Sequence, residues 1–127
     1  MKKILIVDDD PEVIELVRNR LEAHLYEVVS ATDGETGVKM AKKEKPELIL
    51  MDIMMPNLSG GEAVRLLKSD AATKYIPVIF LTAVTSNLPQ GQEANGINVE
   101  GQYYPAIAKP FKSEILLFEI ERAIGEK

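Results

Sequence analysis

Three aspartates follow two short apolar runs that lie far apart in the sequence. Asp8 and Asp9 come directly after the run at residues 4–7. Asp52 comes directly after the run at residues 48–51. If both runs are neighbouring strands of a parallel sheet, the three carboxylates converge at the edge where those strands end. Crowded carboxylates repel each other, and a hard divalent cation such as Mg²⁺ relieves that repulsion. The spacing therefore predicts a Mg²⁺ site suited to phosphoryl transfer, in which Asp52 is the candidate nucleophile.

Two other polar side chains are predicted to reach the same edge. Thr82 follows the apolar run at residues 78–81, and Lys109 follows a weaker strand candidate at residues 103–108. The ammonium group of Lys109 can bind one phosphoryl oxygen, and the hydroxyl group of Thr82 can donate to another. Alone, each of the five residues has a commoner explanation, such as a solvated loop carboxylate, a strand-end hydroxyl or a surface charge. Five suitable side chains at four strand ends favour a shared site.

The elements that would position these residues alternate along the chain. The candidate strands are residues 4–7, 27–31, 48–51, 78–81 and 103–108. Because their types and spacing suit helix N-caps, four residues are predicted to begin helices: Asp10 (before Pro11), Asp33, Ser59 and Ser113. Continuous apolar strands that alternate with helices predict a doubly wound α/β fold. We expect a five-stranded parallel sheet in the order 2-1-3-4-5.

Apolar residues at helical spacing predict the buried sides of the first and last helices. The first stripe is Val13, Ile14, Val17, Leu21 and Leu25, and the last is Leu116, Ile120, Ala123 and Ile124. Ile115 and Phe118 fall off the last stripe and are predicted to form a small exposed apolar patch. A role in docking a partner is one interpretation, although single exposed apolar residues are also normal.

The segment from Thr85 to Gln102 interrupts the alternation of strands and helices. It contains Pro89, three glycines and three asparagines, which disfavour a regular helix. We therefore predict a loop, or at best a short broken helix, where the pattern requires the fourth of five helices.

The bulk composition limits the classes of function. The 127 residues fit one domain that spans residues 1–127. The net charge of −5 and the scattered basic residues argue against direct binding to nucleic acid. The lack of cysteine excludes disulfides and thiolate metal sites. The first apolar run is too short for a signal peptide or a membrane span, so we expect a cytoplasmic location and no membrane partner.

Four segments together resemble the receiver family of two-component response regulators. They are ILIVDDDP at residues 4–11, LILMDIMMP at residues 48–56, LTA at residues 81–83 and KPF at residues 109–111. The resemblance covers nearly the whole chain and implies a single receiver domain with a flavodoxin-like fold. It also implies a histidine kinase or histidine phosphotransfer protein as phosphoryl donor, and a downstream protein or output domain that responds. Such a domain catalyses only its own phosphorylation and dephosphorylation, so it is not a conventional enzyme.

The resemblance implies roles for four residues on the metal side of the site. Asp52 is similar to the phosphoacceptor of the family and also belongs to its metal site. Asp9 is similar to the aspartate that binds Mg²⁺ directly, and Asp8 to the one that acts largely through water. Met54 occupies the position whose backbone carbonyl contributes to the metal site.

The resemblance also implies roles on the phosphate side. Thr82 is similar to the switch hydroxyl, Ala83 to the small residue that leaves the phosphate accessible, and Lys109 to the phosphate-binding lysine. The peptide bond between Lys109 and Pro110 is cis in the family, and proline is the residue that tolerates this geometry. Gly60 matches the glycine that follows the loop after the third strand.

The chain departs from the family in the region that links the phosphate to the output surface. The family usually has an aromatic residue three positions before the lysine, where this chain has Ala106, with Tyr103 and Tyr104 upstream. The segment Thr85–Gln102 is also longer than usual. We hypothesise that this segment responds to phosphorylation, through an order–disorder change.

Two other function classes remain open from the sequence. The first is a receiver-like interaction module that works without phosphate, which the unusual segment favours and the intact site residues oppose. The second is a Mg²⁺-dependent phosphohydrolase with an aspartyl nucleophile. Such enzymes commonly have a second acid two residues after the nucleophile, and this chain has Met54 there. We therefore expect poor turnover of small molecules.

Overall fold

Helices and strands alternate along most of the chain in a computed structural model. It describes residues 1–55, 57–82, 96–99, 101–109 and 111–125. The elements are β1 (Lys3–Val7), α1 (Pro11–Glu22), β2 (Glu27–Ala31), α2 (Gly34–Glu44), β3 (Leu48–Asp52), α3 (Gly60–Lys68), β4 (Val78–Thr82), β5 (Gly96–Val99), β6 (Gln102–Ala108) and α4 (Ser113–Ile124). Within these described ranges, no helix is both long enough and apolar enough to cross a membrane.

Among the described residues, six strands form one sheet in the order β2-β1-β3-β4-β6-β5. The five strands from β2 to β6 in this order run parallel to their neighbours, so β6 is the fifth strand that the sequence predicts. The predicted α/β fold and the order 2-1-3-4-5 of the parallel strands are therefore confirmed. The register places Asp52 opposite Leu81 and Thr82 opposite Ala108, which brings the ends of β3, β4 and β6 to one edge.

β5 is an additional strand that the sequence interpretation missed. Gly96–Val99 pairs with β6 in antiparallel orientation. The loop predicted for Thr85–Gln102 is therefore wrong for these four residues and for Gln102, which begins β6. Residues 83–95 and residue 100 lie outside the described residues, so the degenerate fourth helix stays a prediction there.

Side-chain alternation and one glycine explain why β5 pairs with β6. Ile97 and Val99 are partly buried against the core that α2 and α3 cover, while Asn98 between them is exposed. Gly101 has φ +86°, a backbone conformation that glycine adopts without strain and that suits a tight turn. Its N–H donates to Asn98 Oδ1 at 3.0 Å, which ties the turn to the strand.

Apolar residues of the central strands alternate between two hydrophobic cores. Leu5 and Val7 pack in one core with residues of α2 and α3, whereas Ile4 and Ile6 pack in the other with residues of α1 and α4. Every residue of β3 and β4 is buried. Fully burying one such aliphatic side chain stabilises a protein by about 1.5–3 kcal/mol. These strands therefore hold the polar residues at their ends in fixed positions.

Three of the four residues that the sequence predicts as helix N-caps make a side-chain capping hydrogen bond. Asp10 Oδ1 accepts from the Glu12 N–H at 2.9 Å, and Asp33 caps α2 in the same manner. Ser59 and Glu62 form a reciprocal capping box at the start of α3. These caps fix the helix starts that follow β1, β2 and the loop after β3.

Two predictions about helix ends are wrong. Lys112 rather than Ser113 occupies the N-cap of α4, without a side-chain hydrogen bond, because Lys112 is the last residue with extended backbone. Leu25 is not part of the buried stripe of α1, because the helix ends at Glu22 and the chain turns through Leu25 with φ +67°. Leu25 is consequently exposed, and Tyr26 takes the next core position.

Candidate functional site

Three carboxylates lie together at the carboxyl ends of β1 and β3. One oxygen of each of Asp8, Asp9 and Asp52 lies within 4.8 Å of the others. Asp8 is fully buried and Asp52 is 5% exposed, whereas Asp9 is open to solvent. The structure therefore brings together the three side chains that the sequence predicts as metal ligands.

Lys109 offsets part of this negative charge from the end of β6. Its Nζ lies 2.7 Å from Asp8 Oδ2 and 3.7 Å from Asp52 Oδ2. The Lys109 N–H donates to the carbonyl of Thr82 at 2.7 Å, which extends the pairing of β4 and β6 up to the site. Because one ammonium group carries one charge and three ionised aspartates carry three, this ion pair leaves much of the repulsion in place.

Backbone N–H groups hold the other oxygen of each buried carboxylate. The Asp10 N–H donates to Asp8 Oδ1 at 2.9 Å, and the Met54 N–H donates to Asp52 Oδ1 at 3.3 Å. In both aspartates Oδ1 therefore faces the loop after its strand, and Oδ2 faces Lys109. The sequence interpretation gave Asp10 a capping role alone and missed this second contact, because backbone donors leave no signal in residue types.

Burial raises the pKa of Asp52 from its ordinary value of 3.8 to about 6. The negative charge of Asp8 is the next largest cause, and Asp9 adds to it. The Lys109 ammonium and the Met54 N–H lower the pKa but only partly offset these effects. The ionised form of Asp52 is thus disfavoured in the protein as it stands.

This donor set fits a hard divalent cation. Carboxylate oxygens are the ligands that Mg²⁺ prefers, usually with several waters retained. Asp9 is exposed and Asp52 has a raised pKa, so a cation near both would meet solvent on one side and relieve repulsion on the other. The arrangement of Asp8, Asp9 and Asp52 therefore supports a magnesium site, as the sequence predicts.

The other predicted site residues lie around the three carboxylates. Thr82 is the last residue of β4 and is buried, opposite Ala108 at the end of β6. Met54 follows the end of β3, and its side chain points largely into solvent, so the predicted role of its carbonyl stays a prediction. Ala83 and Pro110 lie outside the described residues, and so does the predicted cis bond before Pro110.

Gly60 allows α3 to begin against the backbone of the site. A Cβ on this residue would overlap the carbonyl oxygen of Asp52 and lie 2.9 Å from Ile53 Cα. The Gly60 N–H donates to the Ile53 carbonyl at 3.0 Å, which closes the loop onto the end of β3. Only a residue without a side chain fits here, which explains the glycine that the sequence matches to the family.

An aromatic pair occupies the region where the chain departs from the family pattern. Ala106 is buried and lies opposite Phe80 in the pairing of β4 and β6. Tyr104, two residues upstream on the same face, packs edge-on against Phe80 with ring centroids 5.8 Å apart. Tyr103 points to the other face and is exposed. Along β6, Tyr104 therefore lies two residues farther from Lys109 than Ala106 does.

Known sequences include close relatives of this chain. The model of the response regulator receiver domain family matches residues 4–121. The protein PilH of Pseudomonas aeruginosa is 48% identical over 82 residues, which are 65% of this chain and 68% of PilH. The response regulator PleD of Caulobacter vibrioides is 34% identical over 122 residues, which are 96% of this chain. This chain spans 26% of the length of PleD.

Solved structures match the chain over nearly its whole length. The receiver domain of a sensor histidine kinase from Pseudomonas aeruginosa, with a magnesium ion coordinated in its active site cleft, has a TM-score of 0.82 and 31% identity. That match covers 98% of each chain. The chemotaxis protein CheY4 of Vibrio cholerae has a TM-score of 0.81 and 32% identity, covering 97% of this chain and 98% of CheY4.

Proposed function

We propose a phosphoacceptor function for this chain, which belongs to the response regulator receiver domain family. Asp52 accepts the phosphoryl group, and the modified domain changes its binding to partner proteins. One observation supports this proposal most strongly. The carboxylates of Asp8, Asp9 and Asp52 cluster at one edge of the sheet, and the ammonium group of Lys109 lies beside them.

In the proposed reaction a carboxylate oxygen of Asp52 attacks the phosphorus atom of a phosphohistidine. A P–O bond forms, the P–N bond breaks, and its electron pair stays on the imidazole nitrogen of the donor. Asp52 has to be ionised for this attack. Because its pKa is raised to about 6, the ionised fraction in the metal-free protein increases as the pH rises through that value.

We propose that Asp8, Asp9, Asp52 and the backbone carbonyl of Met54 hold Mg²⁺. When bound, the cation offsets negative charge on the phosphoryl oxygens during transfer. The exposure of Asp9 suits direct coordination of a partly hydrated ion. Asp8 already accepts from a backbone N–H and from Lys109, which suits an action through water.

Lys109 and Thr82 are proposed to bind the phosphoryl oxygens. The Lys109 ammonium is 3.7 Å from Asp52 Oδ2, so a small movement away from Asp8 brings it to a phosphoryl group on Asp52. The Thr82 hydroxyl donates to another phosphoryl oxygen, and Ala83 leaves the group accessible. This exchange of partners by Lys109 couples phosphorylation to the ends of β4 and β6.

The segment Thr85–Gln102 is proposed as the element that responds to this exchange. It begins three residues after Thr82, and its described part includes β5, which pairs with β6, the strand that precedes Lys109. Hydrogen exchange of β5 amides is expected to differ between free and phosphorylated protein. Identical exchange in the two states would contradict this assignment.

Receiver domains exchange signals with histidine kinases or phosphotransfer proteins and with output domains. For this chain we propose a histidine kinase or a histidine phosphotransfer protein as donor, and a downstream protein or output domain as the recipient of the signal. We propose that the chain catalyses only its own phosphorylation and dephosphorylation. We propose a cytoplasmic location for this signalling domain.

Intact mass spectrometry after incubation with acetyl phosphate and Mg²⁺ tests the proposal. The wild type is expected to gain one phosphoryl group, and Asp52→Asn and a sample with EDTA are expected to gain none. Asp10→Asn is the matched control, because it also converts one neighbouring carboxylate to an amide while asparagine preserves the helix cap. This control is expected to be phosphorylated.

Two outcomes would contradict the proposal. Phosphorylation that persists in Asp52→Asn would move the acceptor to another residue. If folded wild type stays unmodified with acetyl phosphate, and also with a phosphorylated histidine phosphotransfer protein, the chain would be an interaction module that works without phosphate.

A further inference from the structure

A cleft of about 500 Å³ lies between the first turn of α2, the loop after β3 and α3. Residues 33–36, residues 57–58 and Leu66 line this α2–α3 cleft, and none of them belongs to the carboxylate site. Its volume falls within the range of roughly 300–1,000 Å³ that is typical of ligand sites in proteins. The proposed phosphoacceptor reaction makes no use of it.

The walls of the α2–α3 cleft are held close together by the backbone. A Cβ on Gly34 would lie 2.8 Å from the carbonyl oxygen of Leu58, so α2 begins directly against the loop after β3. The capping box of Ser59 and Glu62 fixes the place where that loop enters α3. The cleft is therefore already formed in the free protein, as most ligand sites are.

One side of the cleft is apolar. Leu66 is 47% exposed, although Ala63 and Leu67 on the same helix are buried. Leu58 lies in the facing loop and is partly buried against the core that α2 and α3 cover. The methylene stem of a long charged side chain packs well on such a surface while its charged end stays in water. The apolar side therefore favours a ligand with an aliphatic stem.

The rim of the cleft is negatively charged. The Asp33 carboxylate accepts from the Thr36 N–H at 2.7 Å and from the Thr36 hydroxyl at 3.1 Å. These hydrogen bonds hold the pKa of Asp33 below its ordinary value, so the group is ionised at neutral pH. Glu35 is exposed beside it. Among the described lysines and arginines, none forms an ion pair with Asp33 or Glu35.

The charges at the rim favour a cation over an anion. The start of α2 has a partial positive charge of about half a unit from the helix dipole. Two ionised carboxylates carry four times that charge with the opposite sign, so the net field at the rim is negative. An anion would therefore be repelled, and a cation would gain two partners.

We propose that the α2–α3 cleft binds an arginine side chain of a partner protein. The methylene groups of the arginine pack on Leu58 and Leu66, and its guanidinium group donates to Asp33 and Glu35. Arginine suits the rim better than lysine does, because its planar guanidinium presents five donors in a fixed fork. The amide group of Asn57, at the same cleft, can hydrogen-bond to the partner's backbone.

Titration of the full chain with N-acetyl-arginine methylamide, followed by amide NMR spectroscopy at neutral pH, tests this site. The signals of Gly34, Thr36 and Leu58 are expected to shift and to saturate, with a dissociation constant on the order of 1 mM. The same derivative of citrulline has nearly the same shape and no charge. It is expected to bind at least roughly tenfold more weakly, because it forms no ion pair at the rim.

Substitutions test the two parts of the cleft separately. Glu35→Gln removes a rim charge and Leu66→Ser removes apolar surface, so each is expected to weaken the binding of the arginine derivative at least roughly fivefold. Glu22→Gln and Leu16→Ser make the same changes at exposed positions of α1 and are expected to bind like the wild type. Thermal unfolding verifies that every variant is folded.

Four results would overturn the proposal. The first is the absence of a saturable shift up to about 20 mM of the arginine derivative. Equal affinity for the citrulline derivative would show that the rim charges play no part. Unchanged affinity in Glu35→Gln and Leu66→Ser, with shifts confined to Asp8 and Asp9, would place the ligand at the carboxylate site. Free L-arginine that binds tenfold more tightly than the derivative would identify a free amino acid as the occupant instead of a partner protein.

Discussion

Replacement of Asp52 by asparagine is expected to stabilise the metal-free protein at neutral and alkaline pH. The Asp52 side chain is almost completely buried and lies beside the fully buried Asp8. Its raised pKa means that the folded protein holds the ionised carboxylate at a cost in free energy. Asparagine has nearly the same shape and keeps an oxygen for the Met54 N–H, but it carries no charge.

The change in pKa from 3.8 to about 6 sets the magnitude and the pH range of this effect. At ~1.4 kcal/mol per pH unit, the cost to the wild type reaches about 3 kcal/mol. Below about pH 4 the carboxyl group is protonated in both the folded and the unfolded state, so the variant gains nothing. Between about pH 4 and pH 6 the unfolded state loses its proton first, and wild-type stability falls as the pH rises. Above about pH 6 the ionised Asp52 destabilises the wild type by the full amount of about 3 kcal/mol.

Urea and thermal unfolding in EDTA, at several pH values, measure this difference. A gain of about 3 kcal/mol corresponds to roughly 10 °C in Tm for a domain of this length. Asp10→Asn, which removes an exposed carboxylate and keeps the cap, is expected to show no comparable gain. An Asp52→Asn protein that is no more stable than the wild type at about pH 8, or that is stabilised equally at about pH 4, would contradict this expectation.

The charge balance and the loop packing of the site lead to three other expectations. Lys109→Ala leaves the carboxylates of Asp8 and Asp52 without their ammonium partner, so urea denaturation at about pH 8 should show a loss of roughly 3 kcal/mol. Mg²⁺ at ten times its dissociation constant should raise the free energy of unfolding of the wild type by about 1.4 kcal/mol, measured as a thermal shift. Gly60→Ala should cost about 2–3 kcal/mol, because its Cβ overlaps the backbone of β3. Gly61→Ala, whose Cβ would meet only Ser59 Oγ at 4.0 Å, an ordinary contact, should instead gain up to ~1 kcal/mol by the same measurement.

Each of these expectations has an outcome that contradicts it. A Lys109→Ala protein as stable as the wild type at alkaline pH would mean that the lysine does not compensate the carboxylates. A Mg²⁺ shift that keeps its full size in Asp9→Asn would place the ion elsewhere. Equal stability of Gly60→Ala and Gly61→Ala would show that the start of α3 can move away from β3.

The central sheet and the site at its edge could be predicted from the sequence because both depend on local patterns. A continuous apolar run such as residues 48–51 indicates a strand buried on both faces, and the residue after it falls at the sheet edge. Asp10 and Asp33 mark helix starts by residue type alone, and both act as caps. The convergence of Asp8, Asp9 and Asp52 then follows from the strand order.

The features that were missed depend on tertiary contacts. Gly96 and Asn98 disfavour a strand. The segment Gly96–Val99 nevertheless becomes one, because β6 offers an edge and the core accepts Ile97 and Val99. Leu25 continues the helical period in the sequence, but the chain turns before it reaches the core. The hydrogen bond between Lys109 and Asp8 joins residues 101 positions apart, and no local pattern distinguishes Asp8 from Asp52 as the first partner.

The position of β5 has a consequence for how other polypeptides can approach the sheet. Without β5, the seven residues of β6 would form the sheet edge and present their unpaired backbone groups to any extended peptide. β5 is four residues long, and its residue Asn98 directs its side-chain oxygen to the turn. A short edge strand is a poor template for aggregation. A peptide that adds to the sheet beside β6 has to displace β5, which is covalently linked to β6. The apparent affinity of the peptide therefore depends on the free energy of opening the β5–β6 hairpin.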